Sequence, residues 1–206
     1  AAAEALLEEM GRPVPTWPTW SAPVIGEVAQ RPPRNAGPYL RGLFVGGTMC
    51  DEAMLVAGEA LGPVRSNIPL SPELALDSSL TAEAHLMIDF GDDALTQGRA
   101  HPMIDPTLRT EHLARAAADP QTGAVLLDVV LGHGAEPDPA AGLAPAITKA
   151  REGRDLPVVV ALVGTEVDPQ VLSRQAEALA TAGAEVHLSN AAATRRAVET
   201  ISGGDR

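Results

Sequence analysis

"LRGLFVGGTMCDEAMLVAGEAL", residues 40–61, changes its hydrophobic period in the middle. Residues 40–46 form a near-continuous apolar run, as expected of a strand covered on both faces. From residue 47 to 61 the apolar positions recur at helical spacing, and Gly46-Gly47-Thr48 stands at the change. The same order returns along the chain. Apolar, β-prone runs occur at "AHLMIDFG" (84–91), "AVLLDVVLG" (124–132), "LPVVVALVG" (156–164) and "AEVHLSN" (184–190). Helical patterns fill 107–118, 139–152, 169–182 and 191–201. Strands alternating with helices predict an α/β, flavodoxin-like, doubly wound domain over residues 40–206, with five parallel strands.

Two stretches interrupt that order. Residues 62–83 carry Pro63, Pro69 and Pro72 and read as an irregular excursion with room for a short extra strand. Residues 91–106, "GDDALTQGRAHPMIDP", read as a long polar loop of the kind that often carries function. Ahead of the domain, residues 1–10 read as the end of a truncated helix. Residues 11–39 read as a Pro-rich extended linker, with Trp17 and Trp20 as anchors on the domain surface.

Composition narrows the function. Aromatic residues make up 2% of the chain, its net charge is −12, and Lys149 is the sole lysine among 15 basic residues. Clustered cations and aromatic platforms, which nucleic acids require, are missing. No apolar run approaches the roughly 20 residues that span a bilayer, so the expectation is a cytoplasmic protein with neither nucleic-acid nor membrane partners. One cysteine excludes an internal disulfide and a Cys-rich zinc site.

In a doubly wound sheet ligands bind beyond the carboxyl ends of the strands, so candidate residues are sought there. Gly46, Gly47 and Thr48 can turn the free amides of a helix start toward an anion. The bland alternative is a glycine turn at positive φ, with Thr48 as N-cap. Cys50 reads as packing between helix and sheet. Asp105, Asp138 and Asp168 each precede proline and read as helix N-caps with proline at the first helical position. Asp92 and Asp93 follow a strand without an obvious helix after them, and can orient a substrate or Mg²⁺. Arg99 can clamp a phosphate or carboxylate, while His101 and His133 can move protons. Gly132, Gly134, Gly164 and Thr165 complete the candidate anion contacts, and no spacing makes a convincing metal site.

Four segments in order, "LRGLFVGGTMCDEAM", "IDFGDDALTQGRAHPMIDPTLR", "GAVLLDVVLGHGAEPDPA" and "VGTEVDPQ", closely resemble the FdrA family. That family is related to the α-subunit of succinyl-CoA ligase. The resemblance implies a ligase-type domain binding an acyl phosphate or acyl-CoA ligand, within a multisubunit ligase or transferase. It also implies an N-terminal CoA-binding-type domain outside this chain, partner subunits or oligomerisation, and CoA or Mg²⁺ held through the full-length protein. Succinyl-CoA ligases carry phosphohistidine in a Gly-His-Ala-Gly-Ala loop. Here that place reads "VGTEVDPQ", with Gly164 and Thr165 but no histidine, so the role is not carried over to His133. FdrA-like proteins are also associated with oxamate carbamoyltransferase in purine-ureide breakdown. A non-catalytic interaction scaffold is the remaining alternative.

Overall fold

A computed structural model of the chain describes residues 2–14, 16, 20–21 and 37–202. Most of the expected linker, and Trp17 with it, lies outside the described residues; Trp20 packs against the domain core. Ala2–Glu9 form a helix, α1. The strands are β1 (Tyr39–Phe44), β2 (Val64–Ser66), β3 (His85–Asp89), β4 (Thr122–Val130), β5 (Val158–Val163) and β6 (Glu185–His187). The further helices are α2 (Gly47–Leu61), α3 (Asp93–Thr96), α4 (Thr107–Ala118), α5 (Pro139–Arg151), α6 (Leu172–Thr181) and α7 (Asn190–Ser202).

All strand pairs are parallel, in the order β2-β3-β1-β4-β5-β6. Without β2, the order is second-first-third-fourth-fifth, the flavodoxin arrangement. The sheet has six strands rather than five, because the excursion at 62–83 contributes β2 at the edge. Three residues are too short a strand to leave a periodic signal.

Alternate strand residues face opposite layers. Leu43, Leu127 and Val160 join a cluster with Leu113 of α4, Leu143 and Ile147 of α5, and Leu179 of α6. Their neighbours Phe44, Leu126 and Val159 join the other, with Cys50, Ala53 and Ala57 of α2 and Ala193 and Ala197 of α7. Small residues on α2 and α7 let both helices lie close to the strands. Cys50 is thus core packing. Among the described residues, no helix is long and apolar enough to cross a membrane.

Several local readings need correction. Gly46, not Thr48, is the N-cap of α2, with φ of −142°. The glycine pair therefore does not serve positive φ. Asp92 and Asp93 do lead into a helix, the short α3, with Asp92 as its N-cap. Asp138 and Pro139 take the expected positions at the start of α5, but the Asp138 carboxylate accepts from Arg174 and Gln175 rather than from the helix amides. Asp105 instead accepts hydrogen bonds from the amide and hydroxyl of Thr107, while Pro106 is the residue next to α4. Asp168 closes a turn on Thr165, and α6 begins only at Leu172.

The end of α4 is joined to β4 by Arg154, which donates to the carbonyls of Ala117 (2.8 Å), Asp119 (2.9 Å) and Thr122 (2.6 Å). Charge-assisted bonds of this kind make Arg154→Met destabilising by about 1–3 kcal/mol. Urea unfolding should report this as a lower midpoint at constant slope.

Candidate functional site

Beyond Phe44 the chain leaves β1 and enters α2 within three residues. The amides of Gly47, Thr48 and Met49 lie in the first turn and have no intrahelical acceptor. The first closed bond runs from the Cys50 amide to the Gly46 carbonyl at 3.0 Å. The neighbouring strands β3 and β4 bring a carboxylate each to this point. Asp128 is fully buried. Its Oδ1 accepts the Val45 amide at 2.9 Å and the Arg109 guanidinium at 3.1 Å. Arg109, also buried, donates to the Asp128 carbonyl at 2.6 Å. Asp128 Oδ2 and Arg109 Nε are both buried without a hydrogen-bond partner among the described residues. That Oδ2 lies 3.8 Å from where a Cβ on Gly46 would stand.

Asp89 ends β3. Its Oδ1 accepts the Gly91 amide at 2.9 Å, and its Oδ2 lies 3.3 Å from a Cβ position on Gly47. The side-chain amide of Asn67 pairs with both backbone groups of Asp89 at 2.9 Å and fixes its place. A Cβ at 47 would thus crowd the Asp89 carboxylate, whereas one at 46 would make ordinary contact with Asp128. Burial raises the Asp89 carboxyl above its ordinary value. It also pushes Asp128 up to about 6, against the pull of Arg109. Burial pushes the Cys50 thiol far up, with Asp89, Asp128 and Asp51 adding to it, so no thiolate forms there.

The loop after α3 folds over this point. His101 Nε2 lies 2.8 Å from a Cβ position on Gly91, and Nδ1 accepts the Met103 amide at 3.2 Å. With Nδ1 as acceptor, the neutral ring carries its proton on Nε2. Met103 places its terminal methyl 4.0 Å from a Cβ position on Gly46, and its carbonyl accepts the Glu136 amide at 2.8 Å. The structure therefore brings together Gly46, Gly47, the Thr48 amide and His101 from the sequence-based set.

The other candidates lie apart. Arg99 is exposed and lines a cleft of about 240 Å³ between α3 and α4, with Asp105 and Glu111. His133 is exposed, as is Gly134 at φ +85°. The Gly132 peptide is clamped at both ends by Gln170, at 3.1 and 2.9 Å. A Cβ on Gly164 would meet Leu131 at 2.7 Å, so that glycine serves packing. The Thr165 amide and hydroxyl both donate to Asp168, at 2.6 and 2.9 Å. Thr48 has an exposed side chain in the first turn of α2, so only its amide belongs with the glycine pair. Asp92 and Asp93 belong to α3, and no group of three metal-binding side chains occurs among the described residues. Asp89, Asp128 and Arg109 were missed in the sequence. The available signal was an aspartate inside "AVLLDVVLG", a run that leaves no solvent-facing position for a charge.

The pattern that defines the CoA-ligase family matches residues 43–200, from the middle of β1 into α7. The chain belongs to the CoA-ligase family. It is similar to Uncharacterized protein YahF of Escherichia coli (strain K12), at 40% identity over 171 residues. The match covers 80% of this chain and 33% of that protein, so the chain spans about a third of its relative's length. The six-stranded parallel sheet agrees with a CoA-ligase domain.

The raised Asp128 carboxyl has a consequence for stability. A folded value of about 6 against an ordinary 3.8 means the folded state holds the proton more tightly. Stability contributed through this group is present at acidic pH and is lost as pH rises from about 4 to about 6, by about 3 kcal/mol. The stability of the wild type relative to Asp128→Asn should fall by about that amount between about pH 4 and pH 7. Urea unfolding across that range checks it, and a rise would contradict the assignment.

Proposed function

We propose that this domain binds an acyl phosphate or acyl-CoA ligand at the carboxyl edge of its sheet, as the FdrA-type component of a multisubunit ligase or transferase. The convergence of the α2 N-terminus, its glycine pair and the Nε2–H of His101 carries this reading. The free amides receive the phosphate or carboxylate oxygens. His101 is the proton donor to the group that leaves or turns over. Arg99 faces a separate cleft and takes no part in the cradle. CoA and Mg²⁺ are assigned to the full-length protein with its CoA-binding-type domain and partner subunits.

Phosphoryl relay through histidine is not part of the proposal. The loop after β5 contains no histidine, and its Thr165 is already bonded to Asp168. The domain on this reading holds a reacting acyl phosphate in place rather than carrying the phosphoryl group itself.

A second reading, a subunit of oxamate carbamoyltransferase, is favoured by one observation. Asp89 Oδ2 and Asp128 Oδ2 are acceptors set beside the donor amides, which suits an acyl group bearing N–H. Calorimetry with acetyl phosphate and carbamoyl phosphate tests both readings. Gly47→Val, which puts methyl groups against Asp89, should weaken either ligand at least about tenfold, and Arg99→Ala should change affinity less than about twofold. Tighter binding of carbamoyl phosphate favours the carbamoyl reading. Affinities indifferent to Gly47→Val would remove the cradle, and absence of binding would leave the scaffold reading.

A further inference from the structure

At the head of α2, donors and one unsatisfied acceptor share a small space. The amides of Gly47, Thr48 and Met49 offer hydrogens only. Asp128 Oδ2 offers lone pairs, is fully buried and has no partner among the described residues, and it stands 3.8 Å from where a side chain on Gly46 would begin. It is held in that direction. The other oxygen is taken by Val45 and Arg109, and the backbone carbonyl of the same residue by Arg109 again. A ligand that completes this arrangement must accept from the amides and donate to Oδ2.

Resting on the oxyanion reading above, we propose that Asp128 determines specificity: the cradle favours ligands that bring a hydrogen to Oδ2, such as hydrogenphosphate, over those that bring none, such as sulfate. Hydrogenphosphate turns its P–O–H toward Oδ2 and its bare oxygens toward the amides. Sulfate has no hydrogen to give. One of its oxygens would face the lone pairs of a buried carboxylate with water excluded, leaving Oδ2 unpaired and repelled.

The charged and titratable groups around Asp128 fit this role. Arg109 from α4 offsets its charge but sits on the Oδ1 side. Asp89 from β3 adds a second carboxylate of the same sign. The Cys50 thiol of α2 stays neutral, and Glu136, in the loop after β4, acts on Arg109 rather than on the cradle. Asp51 of α2 and Asp92 at the head of α3 add further negative charge beside Cys50 and Asp89, and His101 is a further titratable neighbour, which as a cation would favour any anion. Because burial pushes Asp128 up to about 6, acidification below that value gives Oδ2 its own hydrogen. Sulfate is then admitted, and sulfate itself does not titrate in this range.

Calorimetry at about pH 8 with inorganic phosphate and with sulfate tests the assignment. The wild type should bind phosphate at least about tenfold more tightly. Asp128→Asn should narrow the ratio to less than about threefold, chiefly by gaining sulfate affinity. In a His101→Asn background, sulfate affinity should rise as pH falls from about 8 to about 5.5, and adding Asp128→Asn should flatten that profile. Should Asp128→Asn fail to fold, the wild-type ratio and the His101→Asn profile decide. Equal affinities in the wild type, or a ratio unchanged by Asp128→Asn, would overturn the proposal. Equal binding that Gly47→Val abolishes removes the selectivity and leaves the oxyanion site standing. Binding of neither anion overturns both.

Discussion

The buried pair of Asp128 and Arg109 is the contact on which the architecture of this edge depends. Three elements meet in it: β4 through Asp128, α4 through Arg109, and the exit of β1 through the Val45 amide. Taking a carboxylate and a guanidinium out of water costs several kcal/mol each, and a single ion pair rarely offsets that cost. Here three hydrogen bonds share the load, yet Oδ2 and Nε remain unpaired among the described residues. Such an arrangement is poor stabilisation compared with an apolar core of the same volume. Its retention makes sense if direction matters more than energy, because the pair fixes which carboxylate oxygen looks toward the head of α2.

The sheet explains why this place is available. Residues on β1, β4 and β5 are buried on both faces by α2 and α7 on one side and by α4, α5 and α6 on the other. Only the strand ends leave backbone groups and polar side chains free to meet a ligand. At the β1 end the flanking strands β3 and β4 each terminate near an acid, which is where strand order reverses in a doubly wound sheet. The loop carrying His101 then closes across, tied to the far side by the Met103 carbonyl and the Glu136 amide.

How much of this was legible in the sequence follows from the physical scale of each signal. Long apolar runs announce strands buried on both faces, so five strands and the glycine turn at 46–47 could be read directly. β2 could be placed only as a short extra strand within 62–83, since three residues carry no periodicity. Asp-Pro pairs misled at Asp168 because a proline at a helix start and a proline in a preceding turn look the same locally. Arg99 and His101 are two residues apart, yet one faces the α3–α4 cleft and the other Gly91. Loop direction is set by tertiary contacts, which no local pattern encodes. Asp128 was visible as a charge in an apolar run. Its partner Arg109, 19 residues earlier, was not, because only the fold brings α4 over β4.

The loop after β5 completes the argument about chemistry. Side chains of this loop are bonded within the loop or to the start of α6, at exposed positions. Asp168 holds the Thr165 amide and hydroxyl, and Glu166 holds the amide and hydroxyl of Ser173. Val171 adopts φ +59°, a conformation that a β-branched residue resists. The strain sits next to Gln170, whose buried amide clamps the Gly132 peptide and the Glu136 carbonyl. The loop is therefore organised to brace the turn after β4. That turn in turn holds Met103 over Gly46. In this CoA-ligase domain the end of β5 braces the turn after β4, while the carboxylates of Asp89 and Asp128 gather at the ends of β1, β3 and β4.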